Sequence, residues 1–232
     1  MSLVLSIFPG IGILDVGFEE AGFCVVRGPD VIWGGDIRKF HPPGGRFDGI
    51  IGGPPCQSFS PIGNVNKARY GEASVMPDLV PEFERVVSEV EPKWWVMENS
   101  THCPGTKMTG HRLEVDNEWL GQPQRRRRAF WSNLNLARFL MLPALLPPDS
   151  GSERTVCSAD SVDWRGSRSR EPKRTLADNC ELQGLPREFF AHRPFTVSAA
   201  KRMVGNAVPL PMARAIADAV VRALGLEAEG IQ

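Results

Sequence analysis

Hydrophobic positions along this chain fall into short runs separated by glycine and proline. Leu3-Val4-Leu5-Ser6-Ile7 has the length of one strand and breaks into Pro9-Gly10-Ile11-Gly12. Leu14, Val16, Gly17, Phe18 and Ala21 follow at helical spacing, with Glu19-Glu20 on the polar side. Phe23–Arg27 predicts a second strand ending at Gly28-Pro29-Asp30, and Phe47–Ile51 predicts the next. Pro61–Pro77 is polar, contains glycine and has no clear period, which predicts a loop able to close over a substrate. Phe83, Val86, Val87 and Val90 then share one helical face within 80–90, and Pro92 ends that helix. Trp94-Trp95-Val96-Met97 reads as a buried strand ending at Glu98-Asn99.

A turn at Gly121-Gln122-Pro123-Gln124 leads through four arginines into the strand Ala129-Phe130-Trp131. Alternate side chains on a strand share a face, so Gln124, Arg126 and Arg128 point one way and Arg125 and Arg127 the other. From Leu134 to Pro172 the composition shifts to proline, serine, glycine and arginine, which predicts a loosely structured insert. Ser198–Leu224 carries an amphipathic helix from Met212, with Ala213, Ile216, Ala217, Val220 and Leu224 as its apolar stripe. Strand, glycine turn and helix at the start open a Rossmann-like unit. The whole pattern predicts an α/β fold, a doubly wound sheet. No third glycine follows at the spacing of a dinucleotide fingerprint, which argues against that ligand class.

Composition narrows the class. With 232 residues, 42% hydrophobic and 23% charged, the chain can bury one sizeable core. No uninterrupted apolar run approaches a membrane span, and the first residues read as a strand rather than a leader. Five scattered cysteines without zinc-site spacing argue against a disulfide framework or a structural metal, and predict a cytoplasmic location. The 27 basic and 27 acidic residues balance, yet positive charge is concentrated at Arg125–Arg128 and again at Arg165, Arg168, Arg170, Lys173 and Arg174. Such concentration suits nucleic acid, although charge runs are more often solvated faces.

The candidate chemistry centres on Gly52–Ser60, GGPPCQSFS. Two glycines and two prolines make a stiff turn at a strand's C-terminal end, presenting Cys56 where open α/β sheets bind ligands. An isolated cysteine is usually buried and inert, but a core cysteine needs no such stiffening. Glu98 at the tip of its strand falls on the same rim, either as a working acid or as an ion-paired or capping one. Asp30 is placed to accept from ribose hydroxyls or to act as a turn residue after Pro29, and Asp36 would sit near the base of the same ligand.

In their order, these stretches resemble the motif series of the DNA cytosine-5 methyltransferases. Phe8-Pro9-Gly10-Ile11-Gly12 is similar to the first motif, which holds S-adenosylmethionine, and Asp36-Ile37 to the adenine contact. Pro54-Pro55-Cys56-Gln57 resembles the nucleophile motif, Glu98-Asn99 the carboxylate motif and Gln124-x-Arg126-x-Arg128 the Q-x-R-x-R motif. Arg174-Thr175-Leu176 with Leu182–Pro186 resembles the ninth motif, and Gly205-Asn206-Ala207-Val208-Pro209 the tenth. The departures are Ser6 where the family usually has an acid, Ile13 for a glycine, Ser100 for valine, and a contracted region after the second strand. Between Trp131 and Lys173 the family's target-recognition domain is cut to roughly 40 residues, below an ordinary domain's size.

The resemblance implies a class I S-adenosylmethionine-dependent fold in three parts. Residues 1–132 would be the cofactor-binding and catalytic domain, 133–173 a reduced target-recognition insert, and 174–232 the end of the small lobe with a helix returning to the first domain. It implies Cys56, Glu98, Arg126 and Arg128 as catalytic. Phe8, Gly10, Gly12, Asp30, Asp36, Ile37, Pro54, Leu79, Asn206 and Val208 would hold S-adenosylmethionine. Gln57, Ser60, Gln124, Arg165, Arg168, Arg170 and Lys173 would contact DNA. The implied partner is double-stranded DNA, bound by a monomer without metal, with a cognate restriction enzyme or a recognition partner as possible companions and a phage or restriction–modification origin. Cys56 would need a lowered pKa or a proton acceptor, and Glu98 a raised pKa. A transfer-RNA methyltransferase of the same fold is the nearest alternative. The continuation Gln57-Ser58-Phe59-Ser60 and the absence of a Cys-Phe-Thr tripeptide favour DNA. A non-catalytic relic would not be expected to keep Cys56, Glu98 and the arginine pair together.

Overall fold

Six strands form one sheet: β1 (Leu3–Ile7), β2 (Cys24–Arg27), β3 (Gly49–Gly52), β4 (Trp94–Asn99), β5 (His111–Asp116) and β6 (Arg127–Ser132). Their order is β2-β1-β3-β4-β6-β5. The first four are parallel, and β6 runs antiparallel to both of its neighbours. The computed structural model describes residues 2–56, 58–59, 61–71, 75–143, 153, 155–157 and 174–225.

Helices cover both faces. They are α1 (Ile13–Glu20), α2 (Pro61–Tyr70), α3 (Val80–Val90), α4 (Leu176–Leu182), α5 (Val197–Asn206) and α6 (Leu210–Ala223). Strand alternation sorts the core. Val4, Trp94, Val96 and Phe130 turn towards α1 and α6, where they meet Phe18, Met212 and Ile216. Leu5, Ile50, Trp95 and Met97 turn the other way, onto Phe83, Val86 and Val90 of α3. The consecutive tryptophans of β4 thus anchor opposite layers. A Cβ on Gly17 would come within 2.6 Å of the Ala213 backbone, so α1 and the chain's last described helix lie almost in backbone contact. A third cluster joins Ile11 and Ile13 to Cys180, Leu185 and Val204, docking α4 and α5 beside the glycine turn after β1.

Among the elements that depart from the sequence reading are α2 and β5. Within the segment expected to be a loop, Pro61–Tyr70 is a helix. Its Val65 and Tyr70 are 45% and 70% exposed, and a helix without an apolar stripe leaves no periodicity to find. Strand β5 has no counterpart in the sequence reading. It is an edge strand with exposed His111 and Arg112 and only Leu113 and Val115 as apolar residues, too few for a readable alternation. The insert expected at 133–173 falls mostly outside the described residues.

Candidate functional site

Three strand ends meet at one cavity. After β3 the chain continues as Gly53-Pro54-Pro55-Cys56 past the tip of β4. There the Asn99 side chain donates from Nδ2 to the Pro54 carbonyl at 3.0 Å. Phe59 N–H donates to the Cys56 carbonyl at 3.0 Å and closes the turn. A Cβ on Gly53 would stand 3.0 Å from Glu98 Oε2, so this backbone lies directly on the carboxylate. Glu98 in turn receives Arg128 from β6, Nε to Oε1 at 3.0 Å, with the two side chains only 10% and 15% exposed. Cys56, Glu98 and Arg128 line a cavity of about 800 Å³, within the usual size range of a small-molecule site.

The same cavity extends over the end of β1. Phe8, Gly10, Asp30, Asp36, Ile37, Pro54, Leu79, Asn206 and Val208 all line it. Gly10 and Gly12 have φ of 57° and 81°, the left-handed conformation that turns the chain from β1 into α1. Asp30 holds this turn. Its Oδ2 accepts from Gly10 N–H at 2.9 Å while Oδ1 accepts from Ile32 N–H at 2.9 Å, capping a single 3-10 turn at Val31–Trp33. Asp36 likewise caps the 3-10 turn Ile37–Lys39 and pairs with Arg38.

Burial sets the protonation states. It pushes the Glu98 carboxyl above its ordinary value, with Arg128 and then Arg126 pulling the other way. It also pushes the Cys56 thiol up, against the opposing pull of Arg128. The raised Glu98 suits a proton donor. Cys56 does not show a lowered pKa, because desolvation outweighs the arginine, and it therefore needs a proton acceptor to react. The arrangement can deliver a thiol, a carboxyl whose pKa burial raises and a guanidinium to one small ring, with an adjoining compartment for a second ligand.

A profile of the C-5 cytosine-specific DNA methylase family matches residues 30–120. Among curated relatives, the type II methyltransferase M.NgoPII of Neisseria gonorrhoeae is 35% identical over 114 residues, covering 41% of this chain and 32% of that protein. M.FnuDI of Fusobacterium nucleatum is 35% identical over 220 residues, covering 78% of this chain and 61% of that one. The chain is similar to the cytosine-5 DNA methylases. It spans about a third of the first relative and three-fifths of the second. A solved methyltransferase of Entamoeba histolytica, EhMeth, superposes with a TM-score of 0.65 over 97% of this chain and 99% of that one. At 11% identity it speaks for the fold alone, an α/β fold of the class I methyltransferase type. Family and fold imply S-adenosylmethionine as methyl donor, and the cavity fits such a ligand. Its walls are largely apolar, and each Asp30 oxygen accepts a single backbone bond, leaving acceptor capacity for hydroxyls.

Three residues assigned a role from sequence lie off the cavity wall. Gly12 is not on the cavity wall; it is the left-handed N-cap of α1. Gln124 is fully buried, and its Nε2 donates to the Leu182 carbonyl at 2.8 Å, so it has no face for DNA. Arg126 shares a face with Gln124 as the alternation requires, but that face looks into the small lobe. Its guanidinium donates to the carbonyls of Val156, Gly205 and Ala207 at 2.7, 2.9 and 2.8 Å rather than lining the cavity. Gln57, Ser60, Arg165, Arg168, Arg170 and Lys173 lie outside the described residues.

Sequence reasoning missed Asp15. Its carboxylate has no exposure, receives Ser6 Oγ at 2.5 Å and Arg27 Nε at 2.8 Å, and stands in the cavity wall beneath the glycine turn. Burial pushes its pKa up, while Ser6 and Arg27 oppose that. The available clue was an aspartate between Leu14 and Val16, on the buried face that also carries Phe18. Among the described residues no group of three or more His, Cys, Asp or Glu could hold a metal, and no helix is long and apolar enough to cross a membrane.

Proposed function

We propose that the chain transfers a methyl group from S-adenosylmethionine to C5 of cytosine in DNA. The observation that carries this reading is one continuous cavity lined at one end by Cys56 and the Glu98–Arg128 pair and along the rest by the cofactor candidates. The bound cofactor supplies an electrophilic methyl group on sulfonium. Cys56 passes its proton to water and adds through Sγ to C6 of the ring, which makes C5 nucleophilic. Glu98, whose pKa burial raises, donates to N3 so that the ring accepts the addition. Arg128 holds the ring's O2 and steadies the Glu98 carboxyl. After transfer, water removes the C5 proton, the C6–S bond breaks to release the Cys56 thiolate, and N3 returns its proton to Glu98. A duplex hides C6, so the target leaves the stack at a cost of a few kcal/mol.

The DNA contacts are assigned to Gln57, Ser60, Arg165, Arg168, Arg170 and Lys173, with residues 133–173 as a reduced recognition insert. So short an insert reads few base edges, and each good base contact discriminates by about 1–3 kcal/mol, so the target site is short or relaxed. The enzyme works in the cytoplasm as a monomer.

The test is transfer of labelled methyl to mixed-sequence duplex DNA, single-stranded DNA and transfer RNA, with Cys56→Ala alongside. Label at cytosine C5 in DNA, absent with Cys56→Ala, is the expected result. Label in RNA alone, or label that survives Cys56→Ala, refutes the reading. Bisulfite mapping of a long, stringent site would refute relaxed specificity.

A further inference from the structure

Three arginines stand on the cavity wall, and two are already matched. Arg128 faces Glu98. Arg38 grips Asp36 through Nε and Nη2 at 2.9 and 3.0 Å. Arg202 is the third. Among the described residues it has no carboxylate partner, and its Nη1 meets only the Ser198 hydroxyl, at a long 3.3 Å. Its placement follows from the helix. Ala199, Arg202, Met203 and Asn206 of α5 all line the cavity, at the i, i+3, i+4, i+7 spacing of one helical face. Ala200 and Val204, on the far side, are buried.

We propose that Arg202 binds the carboxylate of the cofactor's amino-acid tail, an inference that rests on the cofactor reading above. S-adenosylmethionine carries two cationic centres and one anionic group. The cavity wall also holds the carboxyl groups of Asp15, Asp30, Asp36 and Glu98, none of which supplies a cation for that anion. Their charge is met by Arg27, Arg38 and Arg128, or in Asp30 by backbone N–H groups. Arg202 is the remaining positive group and lies one helical turn from Asn206. A planar guanidinium receives a carboxylate through two parallel N–H bonds. The tail therefore points to α5, and the opposite end of the ligand to Asp36 and Ile37.

Calorimetric titration of the wild-type chain and Arg202→Gln tests this with S-adenosylhomocysteine and 5′-methylthioadenosine, which lacks the amino-acid tail. A second pair, S-adenosylmethionine and its decarboxylated form, isolates the carboxylate from the ammonium. Arg202 is exposed, so the substitution leaves the fold intact. The variant should lose roughly 10- to 100-fold in affinity for S-adenosylhomocysteine and keep that for 5′-methylthioadenosine. It should also lose the preference for S-adenosylmethionine over the decarboxylated ligand. Parallel losses for both members of a pair, or no loss, overturn the assignment. Lost affinity for duplex DNA with cofactor affinity retained would place the guanidinium on a phosphate and equally overturn it. A wild-type chain that binds none of these ligands would instead sink the cofactor reading itself.

Discussion

Replacing Arg126 with lysine should cost several kcal/mol of stability, although the charge is nominally kept. The side chain is 2% exposed and reaches three carbonyls on two distant segments, Val156 on one side and Gly205 and Ala207 on the other. The fork of the guanidinium spans all three. A lysine ammonium is a single point donor: placed where Nη2 stands it can still serve Gly205 and Ala207, placed where Nη1 stands only Val156, so one or two buried carbonyls are left unsatisfied at about 1–3 kcal/mol each. Burial already pulls Arg126 down to about 9. Lysine starts at about 10.4, lower than arginine, so the same site strips its proton and with it the charge assistance of the remaining bond. The expected loss is therefore about 1–6 kcal/mol, against a total of about 5–15 for a domain. For a chain of this size that lowers the Tm by about 2–24 °C. Urea and thermal denaturation of wild type and Arg126→Lys measure it, with a two-state check from coincident probes. A loss under about 1 kcal/mol would refute the argument, because it would mean that the three carbonyls do not depend on the guanidinium.

Two further perturbations address the chemistry. Burial holds Cys56 above 9.0, so its alkylation by iodoacetamide should rise about tenfold per unit from pH 7 to 9 without levelling, and Arg128→Gln should move the curve to still higher pH. Peptide mass spectrometry must follow it, since Cys24 and Cys157 are exposed and react as well; a plateau below pH 8 would refute the raised pKa. Gly53→Ala puts a Cβ 3.0 Å from Glu98 Oε2, which displaces the carboxylate from Arg128. Methyl transfer should fall by about 10- to 100-fold with the fold retained, and unchanged transfer would show that the contact is idle.

What the sequence made legible is the part that local chemistry dictates. The break from Ile7 into a glycine turn, the all-buried β4 and the stiff loop before Cys56 each follow from residue types within a few positions of one another. Helix α2 was illegible because nothing in it packs as a stripe, and β5 because an edge strand needs little apolar surface. The misplacement of Arg126 has a different origin. Alternation correctly groups it with Gln124, but whether a strand face looks into a cavity or into another lobe depends on chain 30 to 81 residues away. Asp15 was hidden for the same reason: its partners Ser6 and Arg27 come from two other elements.

The position of Arg128 ties the two reactive groups together. Glu98 and Cys56 are both driven towards their neutral forms by burial, and in both Arg128 is the first charge acting in the opposite direction. Glu98 itself raises Cys56 further, so a proton gained by the carboxyl eases the loss of one by the thiol. On the proposed reaction Glu98 gives its proton to N3 only as C6 takes the thiolate, so the thiol loses its proton while the carboxyl still holds one. Once Glu98 passes its proton to the ring it becomes an anion, and Arg128, already 3.0 Å away, is in place to hold it. Arg126 contributes to the same field from behind the strand, but its geometry is set by the carbonyls of the small lobe. Its neighbour two residues on is the arginine whose displacement would alter both titrations at once.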